Sequence, residues 1–425
     1  MEPSEWAEFV RSSPARRYLF ARGESALVPI DESERLPPDD VADFLAKLGT
    51  ETDVELVGKI YLLLNESTQQ FINRDVPRVL RGLTHVASRR EAVTRGGLRG
   101  RVQWSTTLRA QSSGRLDGSQ FVVHDPHRTA NRPENQLLKY ALERLASVLV
   151  DTASSVGSGA LPSTLRESAT LVQDALREPR LRDVERPRRV TPQMRRLAHR
   201  HKDSAYGAAA DLVAALDALE SANRWQITRD LVATGWLSPI DPDDLFELYV
   251  LTLTLDVLER DLDFVATGWG LIRAGRSEVA SLDRSTDGCR AKVHFDQSPD
   301  SISDASSRYR DLTKNHLGIE GRGRRPDVVV RLVGDGPNAD RWLLIEVKKS
   351  SDGQYVRDSL YKVFGYVYDF APLFTGEQLT DGPSAVLVFP SGVHRKGEPS
   401  SAIRLISGDD RARLAEALRE FVPGP

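Results

Sequence analysis

Apolar positions between Asp243 and Phe421 alternate between two periods. Asp243–Arg260 carries a helical pattern, Arg290–Phe295, Asp327–Val333 and Trp342–Lys348 read as strands, and Val356–Phe370 reads as a helix. Ala385–Phe389 and Ile403–Ile406 add two strands, and Asp410–Phe421 closes the series as a helix. A helix, a sheet and a crossover helix predict an α/β layered domain over 241–425. Upstream, Val54–Leu64 and Val76–Val86 read as helices, Arg101–Thr107 and Gln120–His124 as strands, and a helix opens at Pro133-Glu134 and runs through Leu149. Tyr206–Leu219 is an alanine-rich, helix-favouring stretch, and Gly235–Pro242 is a break with strong stop and start signals. Ser154–Ser163 and Glu178–Pro192 read as loops. The chain thus divides into 1–98, mixed α/β and without an assignable role; 99–240, a β-to-helical connecting region that is a candidate for DNA or partner contact; and 241–425.

Composition narrows the classes. A chain of 425 residues suggests two or three domains, and 40% hydrophobic with 28% charged residues is ordinary for a globular protein. A single cysteine, Cys289, cannot form an internal disulfide, so a reducing compartment, the cytoplasm, is expected. The longest apolar run, Leu248–Leu255, is too short to span a membrane, and the acidic N-terminus lacks a signal-peptide pattern. Lys and Arg (58) nearly balance Asp and Glu (61), so any nucleic-acid contact must be local. Two basic stretches qualify: Arg180–Lys202, which also fits an exposed linker, and Arg322, Arg324 and Arg325 beside Pro326-Asp327. No phosphate-cradling Gly-x-x-x-x-Gly-Lys-Ser/Thr loop occurs, so a motor activity would have to come from another chain.

The candidate chemistry lies on a hairpin. The strands Asp327–Val333 and Trp342–Lys348 are joined by Gly334–Asp340, a dense turn signal. A hairpin symmetric about the Gly336–Pro337 bond sets Asp327 opposite Glu346. Opposed residues have Cβ atoms about 4.5–5.5 Å apart, so the two carboxylates repel unless something cationic lies between them. Lys348, two residues beyond Glu346, shares its face. Two hard oxygen donors with water suit magnesium, which acidifies a bound water and neutralises phosphate charge. Lys348 then orients the attacking water or stabilises the transition state. Glu247 lies among apolar neighbours on the helix opened by Asp241-Pro242, where it serves the same metal or simply the helix dipole. Ser359, Lys362 and Tyr366 fall on one face of the following helix, where they could touch phosphate, while Tyr361, Phe364, Tyr366 and Tyr368 read at least equally as core aromatics.

Arg325-Pro326-Asp327 followed by Leu344-Ile345-Glu346-Val347-Lys348 resembles the signature of the PD-(D/E)xK nuclease superfamily. Leu245-Phe246-Glu247 and Tyr361-Lys362-Val363-Phe364-Gly365-Tyr366 resemble helices of the McrC-like restriction nucleases, and Glu134–Lys139 resembles a segment upstream of them. The resemblance implies a restriction-endonuclease-like mixed sheet flanked by helices, behind a helical middle region and a mixed α/β N-terminal region. It implies catalytic roles for Asp327, Glu346, Lys348 and Glu247. The metal positions would be Asp327, Glu346 and Val347, taking Mg²⁺ with Mn²⁺ as substitute. Substrate contacts would come from Arg324, Arg325, Lys362 and Tyr366. Lys362 departs from the glutamine many relatives carry. Function would be cleavage of DNA in a prokaryotic restriction or antiviral defence system, with an AAA+ NTPase subunit as partner and a homo-oligomer in prospect. A stand-alone nuclease and a non-catalytic nucleic-acid-binding scaffold remain open alternatives. The Pro38-Asp39 and Glu55 pair mimics the signature but has Val57 where the lysine belongs; His199 and His201 diverge on a helix, and His124 with His127 lacks a third metal ligand.

Overall fold

A computed structural model describes the chain apart from residues 1, 13–24, 32, 34, 36, 49, 97–99, 157–161, 240, 271–277, 304, 317–324, 335–339, 375–381, 394–401 and 423–425. Arg322, Arg324 and the centre of the hairpin turn fall outside the described residues. The chain forms two compact units: residues 1–64, 151–165 and 218–425 in one, and residues 65–150 and 166–217 in the other.

The first unit is α/β. Its helices are α1 (Pro3–Ser12), α2 (Pro38–Lys47), α3 (Glu51–Leu64), α4 (Arg224–Ala233), α5 (Pro242–Asp261), α6 (Arg308–Lys314), α7 (Gly353–Asp369) and α8 (Arg411–Phe421). Its strands are β1 (Ser25–Pro29), β2 (Gly235–Pro239), β3 (Val265–Trp269), β4 (Glu278–Asp283), β5 (Arg290–Phe295), β6 (Val328–Val333), β7 (Arg341–Val347), β8 (Ala385–Phe389) and β9 (Ile403–Ser407). β1 and β2 form an antiparallel pair, and the other seven form one mixed sheet in the order β9-β8-β7-β6-β5-β4-β3. β3 to β7 are antiparallel in succession, while β7, β8 and β9 run parallel through the α7 crossover.

Local chemistry explains these elements. Asp241 caps α5 by accepting from the Asp243 N–H at 2.8 Å, with Pro242 in the first turn, as the sequence predicts. Asp352 caps α7 by accepting from the Gln354 and Tyr355 N–H groups. β7 and β8 are continuous apolar runs because both faces of the central sheet are covered. On one face Val329, Trp342, Leu344, Ala385, Leu387 and Phe389 pack against Val363, Tyr366 and Phe370 of α7. Leu343, Ile345, Val386 and Val388 point to the other face and are equally buried. There α5 and α8 pack together, α5 touching β7 and α8 touching β9.

Compactness divides the chain differently from the linear partition at 98 and 240. α1 lies against α5, with the Trp6 and Phe246 rings 4.5 Å apart and Phe9 edge-on to Tyr249, and β1 pairs with β2 some two hundred residues later in the chain. Such contacts are long-range and leave no local trace. Two local expectations are corrected. Arg101–Thr107 is a two-residue strand followed by a helix, Trp104–Ser112, because the Thr107 hydroxyl turns back to accept from the Val122 N–H at 3.0 Å. Val76–Val86 stops being helical at Arg81, before Gly82, and Val86 opens a strand.

In the second unit Gln120–Thr129 lies between Val86–Arg95 and Arg101–Val102 in an antiparallel sheet. The Glu134–Lys139 motif is a structural staple there. Asn135 donates to the carbonyls of Thr84 and Ala130 and accepts from the Tyr206 hydroxyl at 2.6 Å, while the Lys139 ammonium donates to the carbonyls of Arg182 and Val184. The basic stretch is similarly engaged, with Arg180 on the Arg81 carbonyl, Arg186 on Glu143 and Arg195 on Asp217. His201 bonds Thr84 and accepts from the Asp203 N–H, so it too is structural.

His294 of β5 is buried, and neither ring nitrogen has a hydrogen-bond partner among the described residues. Burial holds its pKa down at about 4, outweighing the nearby Glu278 carboxylate. Because the folded state prefers the neutral ring, the unfolded chain binds the extra proton. Stability is therefore expected to fall as pH drops from about 6.5 through about 4, by up to about 3 kcal/mol. Urea unfolding of His294→Leu across that range should show a flatter pH profile than the parent chain; identical profiles would refute the assignment.

Candidate active site

The observed β6/β7 register pairs Ile345 with Val328 and Arg341 with Leu332, and one further step sets Asp327 across from Glu346. The ladder ends there, and Asp327 uses its side chain instead. Its Oδ2 accepts the Val347 N–H at 2.6 Å, and its carbonyl accepts the Asp296 N–H at 2.8 Å. The carboxylate is thereby fixed at the open end of the hairpin. Glu346 is 2% exposed, and its Oε1 accepts from both the Lys348 and the Lys362 ammonium, each at 2.5 Å. Its Oε2 is buried with no hydrogen-bond partner among the described residues. Lys348 reaches the site from the β7 end and Lys362 from α7.

The charges strain against one another. Burial first, then the Glu346 carboxylate, then Glu247, push the Asp327 carboxyl well above the usual carboxylate range, against the pull of the Val347 N–H and the Lys348 ammonium. Burial disfavours the charged Lys362 ammonium, but Glu346 outweighs it and holds the group protonated beyond its ordinary range. Burial and the same carboxylate raise the Tyr366 phenol. A buried carboxyl raised by two neighbouring acids and lowered by one ammonium and a backbone N–H, in a cleft, is the pattern a functional site produces.

Asp327, Glu346, Lys348, Lys362, Glu247 and Trp6 line one cavity of about 400 Å³. A larger opening of about 830 Å³ lies in the second unit beside Arg101, Trp104 and His124; it holds none of these groups, so the smaller cavity is the better candidate for chemistry. Of the residues proposed to meet substrate, Arg325 is exposed and pairs with Asp296 at 3.3 Å, and Lys362 faces the cavity. Tyr366 belongs to the apolar core, and its hydroxyl donates to the Arg325 carbonyl at 3.2 Å, which braces the approach to Asp327. Tyr361, Phe364 and Tyr368, read as core aromatics, are exposed instead. Arg324 lies outside the described residues.

Sequence reasoning missed the α1 wall. Pro3 and Trp6 border the cavity, and the spacing of Trp6, Phe9 and Val10 signals an amphipathic helix without saying what it covers. It also missed Lys349, which pairs with Asp243 at the start of α5 and so clips the end of β7 to that helix.

The donor set fits a hard divalent cation. Asp327 and Glu346 are oxygen donors on facing positions, and the unpartnered Glu346 Oε2 is a buried lone-pair site that a cation would satisfy. Among the described residues no three His, Cys, Asp or Glu side chains gather closely enough to form a cage by themselves.

No protein-family model matches this chain, and no curated protein matches it. Among solved structures, a chain in the refined half-complex of Thermococcus gammatolerans McrB AAA+ hexamers with bound McrC is similar at 13% identity, over 91% of this chain and 78% of that one. The TM-score is 0.22, a likeness too slight to bear on the fold or the chemistry.

Relief of the carboxylate repulsion gives a direct check. Asp327→Asn keeps an acceptor for the Val347 N–H and removes one negative charge. In chelator its thermal midpoint should rise by about 1–2 °C, about 1 kcal/mol, while stabilisation by added Mn²⁺ disappears. A lower midpoint together with retained manganese stabilisation would contradict the electrostatic reading of the site.

Proposed function

We propose that this chain is a metal-dependent nuclease of the PD-(D/E)xK type that hydrolyses DNA phosphodiester bonds. The observation that carries the reading is the meeting of Asp327, Glu346 and Lys348 at one end of the hairpin, with a buried Glu346 oxygen left without a partner.

Asp327, Glu346 and the main chain of Val347 would hold Mg²⁺, or Mn²⁺ in its place. When bound, the cation supplies an acidified water and neutralises charge on the phosphate. The chain's own groups do the rest. Lys348, fixed two residues beyond Glu346, presents an ammonium to the negative charge that grows on the phosphate in the transition state. Lys362 compensates Glu346 in the resting protein, and its ammonium would be available to a phosphate oxygen were that charge met by a bound cation. Glu247 deepens the negative potential that draws a cation in. Trp6 and Phe246 wall the cavity with apolar surface, which strengthens every charge interaction inside. Arg325, with Arg324, would steady the flanking backbone as a charge contact without base selectivity.

The motif resemblance extends the proposal to a restriction or antiviral defence system in the cytoplasm, acting with a separately encoded AAA+ NTPase. No described helix is long and apolar enough to cross a membrane.

Incubation of the purified chain with plasmid and linear DNA, with Mg²⁺ or with chelator, tests the chemistry. Cutting in Mg²⁺ should fall at least about a thousandfold in Asp327→Ala and Glu346→Ala, and about a hundredfold or more in Lys348→Ala, with DNA affinity largely kept. Binding with no metal-dependent cutting, with or without an NTPase partner, would favour the scaffold alternative. Cutting by the chain alone would exclude an obligatory motor.

A further inference from the structure

On α7, Tyr361, Phe364 and Tyr368 follow one another at three- and four-residue spacing, and Arg357 precedes Tyr361 by four, so the four side chains form a single stripe. The stripe lies opposite the face that buries Val363, Tyr366 and Phe370. Its aromatics are 77%, 58% and 70% exposed, which core packing does not explain. The Arg308 guanidinium sits 5.0 Å from the centre of the Tyr368 ring, and its NH1 group donates to the Tyr368 carbonyl at 3.4 Å. The end of the stripe is held in place. Asp369 accepts from the Ser307 hydroxyl and the Tyr309 N–H, which fastens α6 to the end of α7 and keeps Arg308 beside Tyr368.

We propose that this stripe is a stacking platform for unpaired nucleotides of the substrate, so that the nuclease handles DNA with a single-stranded or opened segment. The inference rests on the nuclease reading above and names the form of DNA it acts on. Three observations favour nucleotides over a protein as the occupant. The stripe lies on the helix that supplies a cavity wall, since Tyr361 precedes Lys362, which lines the cavity and whose ammonium lies on the candidate catalytic carboxylate. Both ends of the aromatic row carry arginine, Arg357 before it and Arg308 over its last ring, which matches a polyanion. Aromatic faces flanked by guanidinium groups bind single strands without regard to sequence, because every base has a π-face. On the helix surface between Lys362 and the stripe lies Gly365, which has no side chain to block a strand passing from one to the other.

The test uses the full chain in chelator, so that nothing is cut, and follows fluorescence anisotropy of labelled oligo(dT) and of a duplex of the same length. The triple variant Tyr361→Ala, Phe364→Ala, Tyr368→Ala should bind oligo(dT) about tenfold or more weakly while duplex binding changes less than about twofold. The aromatic-preserving set Tyr361→Phe, Phe364→Tyr, Tyr368→Phe should leave both unchanged, and because the residues are exposed the melting temperatures should match. Unaltered oligo(dT) binding in the alanine variant overturns the proposal. So does sedimentation showing that the parent chain self-associates and the alanine variant does not, since the stripe would then be a contact between copies. A parent chain that binds oligo(dT) through the stripe yet cuts nothing in Mg²⁺, with or without an NTPase partner, upholds the platform and refutes the nuclease reading alone.

Discussion

Glu346 carries a negative charge inside the central strand of a sheet covered on both faces, and the arrangement around it follows from the need to balance that charge. It is almost wholly buried, and two ammoniums, from Lys348 and Lys362, close on one of its oxygens, while the second oxygen has no hydrogen-bond partner among the described residues. Asp327 faces it from the neighbouring strand and is pushed toward its neutral form. A buried ion pair of this sort adds little to stability by itself, and removal of one partner strands the other. A site that keeps two acids close at that cost is better matched to a cation than to the resting fold.

The surrounding elements hold this balance in place. The Asp352 cap starts α7 in register to bring Lys362 over Glu346, while Tyr366, one turn further on, is packed into the core and braces the Arg325 carbonyl. The Asp241 cap starts α5 so that Glu247 and Phe246 border the cavity, and Lys349 ties the end of β7 to the same helix through Asp243. Trp6 completes the wall from the opposite end of the chain.

The hairpin was legible because its information is local. A short turn between two apolar runs fixes the register, and a period of two fixes which side chains share a face, so the facing positions of Asp327 and Glu346 followed from spacing. The α5 cap, the crossover helix and the strands Ala385–Phe389 and Ile403–Ser407 were legible for the same reason. The strands Val86–Arg95, Gly235–Pro239 and Glu278–Asp283 were not, since each mixes polar with apolar positions and owes its state to partners distant in sequence. The α1 wall escaped because an amphipathic pattern names no partner. The three exposed tyrosine and phenylalanine rings of α7 were read as core on composition, whereas only the position of the core face, set by Val363, Tyr366 and Phe370, decides which aromatics are buried. The staple built on Asn135 and Lys139 shows the converse: a segment noted for family resemblance serves hydrogen bonds within its own unit.

Anomalous diffraction at the manganese edge, from crystals of this chain grown with Mn²⁺, addresses the central claim most directly. The expected result is a single strong peak about 2 Å from carboxylate oxygens of both Asp327 and Glu346, with the Lys362 ammonium displaced from Glu346. Saturating manganese with no peak there, and both ammoniums still seated on the glutamate, would contradict it.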